Sequence, residues 1–269
     1  MRPLRAVVAG LLVAAGGVDA RAAPPPVLAP AEAPPGWVPD VAEAAAFAAT
    51  RAGAVSFSVR TPLQAWELFG DRQEPSASVV KAMLLTAYLR RPSVSTRPLT
   101  RTEKRLLRPM IRSSDNIAAT RVRDRIGNAA LEQLARDAGM TRFATHPIWG
   151  RARITAADQS RFFLALEALL PPLHRATALR WLATSVPTQR WGVGRERPAG
   201  WRLYFKGGWG SGTGLVDHQV ALLRAGRDRV AVAVLTTGNP DHAYGQQTLR
   251  GVFARLLRGL AAREVLTPL

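Results

Sequence analysis

The sequence has no cysteine, and only three of its thirty-seven basic residues are lysine. Without cysteine there is no disulfide, no thiol nucleophile, no lipid on an N-terminal cysteine and no usual zinc-knuckle ligand set. Acidic residues are also scarce, nineteen against thirty-seven lysines and arginines, which leaves a formal net charge of +18. No stretch of about 18 apolar residues occurs after the first residues, so no membrane span is expected in the mature chain. Phosphate-loop and dinucleotide fingerprints are missing. The four histidines (His146, His174, His218, His242) have no metal-ligand spacing, and Asp217-His218 is too close in sequence for a triad pair. Neither a metal nor a cofactor is expected.

What is present begins with a leader. Arg2 and Arg5, an apolar run from Ala6 to Val18 and a small-x-small site at Ala20-Arg21-Ala22 read as an export signal over residues 1–22, cleaved after Ala22. The mature protein, with a net charge of about +16, is then expected outside the cytoplasm, in the periplasm, the cell envelope or the medium, and as a monomer. Seven prolines between residues 23 and 39 make an extended linker. The arginines are scattered through amphipathic segments such as Arg121-Val122-Arg123-Asp124-Arg125 rather than gathered with aromatics. That pattern argues against nucleic acid as the partner and suits an anionic envelope.

Residues 40–269 have the length and the 47% hydrophobic content of a globular enzyme domain. Asp40-x-x-Glu43 reads as a capping box opening a helix stopped at Ala52-Gly53. Strand-like runs follow at 55–60 and 64–69. A helix is expected from Ser78 or Val79 to Arg90, then helices near 101–112, 116–126, 128–138, 155–170 and 172–184, with an irregular stretch from Met140 to Arg153. The last third reads as strands at 201–205, 215–224 and 229–237, the final two a hairpin, and a closing helix near 244–260. Strands at both ends with helices between them predict an α+β fold. One antiparallel sheet of about five strands (residues 40–73 and 185–269) carries an inserted all-helical lobe (74–184).

Lysine rarity sharpens the search for chemistry, because arginine cannot lose its proton in a protein whereas lysine can be tuned to act as a base. Ser78-x-x-Lys81 lies at the start of a helix, where residues three apart share a face. Amides at the helix start favour negative charge nearby. Ser114-Asp115-Asn116 falls at a helix junction and taken alone is an ordinary N-cap. Lys206-Gly207-Gly208 falls at the end of a strand whose flanking Gly210, Gly212 and Gly214 leave the backbone open to a ligand.

In this order the three motifs resemble the signature of the class A β-lactamases and penicillin-binding proteins, Ser-x-x-Lys, Ser-Asp-Asn and Lys-Thr-Gly. The paired strands before Ser78, the helical insert, the segment Gln189-Arg190-Trp191-Gly192-Val193-Gly194 and the closing strand-strand-helix extend the likeness over nearly all of residues 40–262. The resemblance implies Ser78 as nucleophile and Lys81 as its base, with Lys206 as a second cation that disfavours the charged form of Lys81 and attracts a substrate carboxylate. It further implies Ser114 as proton relay to the leaving nitrogen, the amides of Ser78 and Trp209 as oxyanion hole, and Asn116, Gly207, Gly208 and Trp209 as substrate-binding residues.

Two features depart from the family pattern. Gly207 replaces a hydroxyl residue that helps bind the substrate carboxylate, a role Ser211 or Thr213 would have to fill. No acidic residue occurs between Met140 and Ala157, where the family carries the glutamate that activates the deacylating water. His146 is the one group there that titrates near neutral pH. The expected function is therefore an acyl-enzyme-forming serine hydrolase acting on β-lactams or D-alanyl cell-wall peptides. The competing reading is a non-catalytic envelope-binding protein that keeps the fold.

Overall fold

The computed structural model describes residues 28, 30–210 and 214–261. The expected signal segment, most of residues 23–29, and Ser211 and Thr213 lie outside the described residues.

Helix α1 (Val41–Ala49) starts where the Asp40 carboxylate accepts the Glu43 N–H. Only this half of the expected capping box forms, because the Glu43 carboxylate instead takes a 3.1 Å hydrogen bond from Arg258, 215 residues further on. Gly53, at φ +78°, turns the chain into the sheet, and a Cβ there would lie 2.2 Å from the Thr237 carbonyl oxygen. Strands β1 (Ala54–Arg60) and β2 (Ala65–Leu68) form the first hairpin. A short ribbon pairs β3 (Glu74–Pro75) with β4 (Arg153–Ile154).

Between them run the helices. A 3-10 turn, Ala77–Val80, leads into α2 (Lys81–Leu89), followed by α3 (Pro92–Ser95), α4 (Arg101–Arg112) and α5 (Asn116–Asp137). Gly127, at φ 71° and ψ 174°, breaks α5 into the two helices expected on either side of it. Thr155 caps α6 (Ala156–Leu169) by accepting the Asp158 N–H, and α7 (Pro172–Ala183) follows. The chain closes with β5 (Arg202–Gly210), β6 (Val216–Ala225), β7 (Asp228–Thr237) and α8 (His242–Leu256).

The five long strands make one antiparallel sheet ordered β2-β1-β7-β6-β5. β1 pairs along its whole length with β7, Phe57 opposite Val234, so the two ends of the domain are hydrogen-bonded together. Alternation divides the core into two. Phe57, Val59, Val232 and Val234 face α8, packing on Leu249, Val252 and Phe253. Ala231, Ala233 and Leu235 face the helical side, whose centre is α2. Every residue of α2 is buried, Lys81 included. A helix that is apolar all round belongs inside a domain, and it carries its first residue, a lysine, out of water with it.

Candidate active site

Ser78 sits in the 3-10 turn ahead of α2, where residues three apart share a face, which puts Ser78 and Lys81 on one side of the chain. The Lys81 N–H donates to the Ser78 carbonyl. The preceding Ala77 is held at φ +43°, a left-handed conformation that costs an L-residue roughly 1–2 kcal/mol. The surroundings hold it there: the Ser76 N–H donates to the Ala152 carbonyl at 2.8 Å, and His218 Nε2 donates to the Pro75 carbonyl at 2.9 Å. His218 is buried, and burial pulls it down to about 4, so it stays neutral; its Nδ1 accepts the Thr236 N–H. Ser78 itself is half-buried, and its hydroxyl makes no hydrogen bond among the described residues.

The Lys81 ammonium spends its three donors on one short segment. It bonds the Ser114 carbonyl at 2.6 Å, the Ser114 hydroxyl at 3.0 Å and Asn116 Oδ1 at 2.7 Å. Lys206, buried on β5, donates to the same hydroxyl at 3.1 Å and to the Gly207 carbonyl at 2.7 Å. Ser114 Oγ thus takes one amine on each lone pair, which leaves its own proton to be donated elsewhere. The backbone bends to allow this, with Ser114 at φ +60°. Because an ammonium only donates, the Asn116 oxygen must face Lys81, and its amide NH₂ is left towards the exposed side.

The motif Ser114-Asp115-Asn116 divides its labour. Asp115 is the N-cap, accepting the Ala118 N–H at 2.8 Å, while its neighbours bind the amines. Burial, partly offset by the Asp115 carboxylate, pulls Lys81 down to about 7. Burial and then the charge of Lys81 hold Lys206 well below the ordinary lysine value. Desolvation is the largest cause at both lysines, and the two amines, which share the Ser114 hydroxyl, disfavour each other's charge as well.

Lys206-Gly207-Gly208 lies inside β5 rather than at the end of a strand, since β5 continues to Gly210. Gly208 leaves no space for a ligand over its own α-carbon: a Cβ would stand 2.7 Å from the Ser78 nitrogen and 2.8 Å from the Val79 nitrogen. This glycine lets the edge strand close against the turn that carries Ser78. At Gly207 a Cβ would make ordinary contacts, with the Trp191 ring at 3.4 Å and Gln219 Cγ at 3.6 Å.

Trp209 is on the same side of the strand as Gly207 and opposite to Gly208, with its ring 5.8 Å from Trp191 edge-on and stacked on His242 at 5.7 Å. His242 Nδ1 donates to Asp217, the residue opposite Trp209 in the sheet. Asp217 therefore pairs with His242 and not with the adjacent His218, and burial raises it to about 6 against the pull of His242. The Trp191 segment is tied down by Gln219, which donates to the Trp191 carbonyl and accepts the Val193 N–H, and by Gln189, which donates to the Ser113 carbonyl at 2.8 Å. His174 is buried and bonded to the Val94 carbonyl, away from these residues.

The loop from Met140 to Arg153 closes the helical side. Asp158, just beyond it, accepts the Thr141 and Arg142 N–H groups at 2.9 and 2.8 Å. His146 accepts the Ile148 N–H at 3.0 Å within its own loop. The residue the loop delivers to the site is Trp149, whose ring centroid is 4.8 Å from Lys81 Nζ and whose indole N–H donates to Thr120. Sequence reasoning missed Trp149. A tryptophan in an irregular segment, where nothing calls for a large apolar group, was the available signal.

Among the described residues no group of three or more His, Asp or Glu side chains is arranged to hold a metal. No helix among them is long and apolar enough to cross a membrane.

A family model described as "Beta-lactamase enzyme family" matches residues 94–259, a span that contains Ser114, Asn116 and Lys206 and begins after Ser78 and Lys81. Among solved structures, the chain is similar to the beta-lactamase from Sphaerobacter thermophilus DSM 20745, with 23% identity and a TM-score of 0.70 over 84% of this chain and 99% of that one. It is also similar to the beta-lactamase from Desulfarculus baarsii DSM 2075, at 24% identity, TM-score 0.69 and coverages of 83% and 98%. A third is the class A beta-lactamase of the last common ancestor of Gram-negative bacteria, at 24% identity, TM-score 0.67 and coverages of 81% and 97%. At these identities the likeness is one of fold. No curated protein matches the chain.

Proposed function

The chain belongs to the beta-lactamase enzyme family, and on that premise we propose that it is an exported hydrolase that forms an acyl-enzyme on Ser78 with β-lactams or D-alanyl cell-wall peptides. Residues 40–269 form its catalytic domain, a sheet lobe from 40–73 and 185–269 with a helical lobe from 74–184 inserted. The observation that carries the reading is the meeting of two buried amines on the one hydroxyl of Ser114.

A serine hydroxyl attacks an amide only if a base takes its proton. Lys81, one turn from Ser78 and lowered to about 7, has a neutral fraction large enough at working pH to do so. The electron pair of Ser78 Oγ adds to the substrate carbonyl carbon as the proton passes to Lys81. The amides of Ser78 and Trp209 stabilise the resulting oxyanion. When the carbon–nitrogen bond breaks, the nitrogen takes the Ser114 proton, which Lys81 restores. Asn116 NH₂ holds the acyl side chain, and Lys206 attracts the substrate carboxylate, with Gly207 and Gly208 lining the strand side.

Deacylation has no carboxylate of the usual kind, since the loop places Trp149 beside Lys81. A long-lived acyl-enzyme follows. Nitrocefin is the test: mature protein should release about one equivalent of product in a burst and then turn over slowly, and Ser78→Ala should release none. A protein that neither bursts nor turns over with nitrocefin or a D-alanyl thioester would be a binding protein retaining the fold.

A further inference from the structure

A cavity of about 650 Å³ lies where α7 and the loop before β5 meet the starting end of β5, beyond the residues bonded to Lys206. Its volume falls within the roughly 300–1,000 Å³ range of small-molecule sites. Six arginines line it: Arg175, Arg180, Arg190, Arg197, Arg202 and Arg224. The single carboxylate among them, Glu167, is consumed, because one oxygen accepts from Arg224 and the other from Arg229 outside the cavity wall.

Three of the guanidiniums are held by backbone carbonyls, which orient a cation without neutralising it. Arg175 donates to the Glu167 carbonyl at 2.7 Å, Arg190 to Ala183 at 3.0 Å and Arg197 to Trp201 at 2.7 Å. Arg180 and Arg202 are exposed and have no hydrogen-bonding or ion-pair partner for their side chains among the described residues. The floor between them is apolar, with Leu179 and Leu203 buried and the Tyr204 ring beneath Arg224. Like charges gathered around a low-dielectric hollow raise its potential and concentrate counter-ions there. Planar forks fixed in orientation suit the oxygens of a multiply charged oxyanion.

We propose that this cavity is a second ligand site, separate from Ser78, that binds a phosphoryl group carried on an apolar body, the arginines taking the phosphate oxygens and Leu179, Leu203 and Tyr204 the apolar part. The same head group occurs in free phosphate and in anionic lipid. A site with an apolar floor should therefore prefer the lipid form, and its ligand should leave the acylation of Ser78 unaffected.

Calorimetric titration of the mature protein with inorganic phosphate and with monomeric dihexanoyl phosphatidic acid tests this. The expected result is one site for the lipid, weakening steeply as salt is raised, with affinity at least about tenfold above that for phosphate. Equal binding of the two would keep the phosphoryl site and make free phosphate its source. The double variant R180E/R202E alters two exposed side chains and should weaken binding at least about tenfold with the nitrocefin burst unchanged. R121E/R125E, which removes the same charge from the exposed face of α5, should bind like the parent. No binding of either probe at low salt, or equal losses in the two double variants, would overturn the site.

Discussion

The Trp149 ring lies 4.8 Å from the Lys81 amine, in a loop without a carboxylate from Met140 to Ala157. An indole excludes water from the amine and gives it nothing to pair with ionically. The lowered value of Lys81 is consequently an effect of burial, with Asp115 the acidic residue that opposes it.

The rate of acylation should therefore depend on the neutral fraction of Lys81. Below about pH 7 the ammonium dominates and the rate should fall about tenfold per pH unit; above it the rate should level off. Lys81→Arg, which cannot deprotonate, should lose about 10²–10⁴ of the plateau rate and should lack the acid limb. Stopped-flow nitrocefin bursts from pH 5 to 9 measure both.

Replacing Trp149 by alanine opens Lys81 to water, which favours its charged form. The acid limb of the acylation profile should move to higher pH, while the plateau rate at high pH changes little. A variant that lost rate equally at all pH values would point to Trp149 acting on the substrate rather than on the amine.

Gly207 and Gly208 of β5 should respond oppositely. Gly208→Ala drives a Cβ to 2.7 Å from the Ser78 nitrogen, so the strand must withdraw from the nucleophile turn. A cost of about 1–3 kcal/mol in stability and a loss of at least about 100-fold in acylation are expected. Gly207→Ser meets the Trp191 ring at 3.4 Å and Gln219 Cγ at 3.6 Å, both ordinary contacts, and should fold normally, and its hydroxyl should strengthen binding of carboxylate-bearing β-lactams. Thermal melts and burst amplitudes against concentration separate the two effects.

Asp217 carries its own pH signature. Its folded-state value, about 6, lies above the ordinary 3.8, so the native state holds the proton more tightly than the unfolded chain. Stability from this site is complete below about pH 4 and is lost as pH rises through about 6. Asp217→Asn, with no proton to lose, should show a smaller fall in melting temperature than the parent between pH 4 and 7.

Much of this arrangement was legible in the sequence. Hydrophobic periodicity and the turn at Ala225-Gly226-Arg227-Asp228 place β6 and β7 almost to the residue, and Gly127 marks the break in α5. Lysine rarity pointed to Lys81 and Lys206, and the structure brings both to Ser114. Long-range partnerships were not legible. Glu43 satisfies Arg258 instead of its own helix, Asp217 pairs with His242 rather than the adjacent His218, and Trp149 reaches Lys81 across 68 residues of chain. Each is decided by which surfaces the sheet and helices bring together, and local propensity has no access to that. The distant arginines around the cavity beside α7 were hidden for the same reason, looking like scattered charge until α7 and β5 assembled them.

Intact-mass spectrometry of the mature protein incubated with a penicillin tests the role of Ser78 most directly. A gain equal to the whole opened β-lactam, mapped to the peptide containing Ser78, persisting for minutes and missing in Ser78→Ala, is the expected result. An adduct retained in Ser78→Ala, or mapped to another residue, would contradict it.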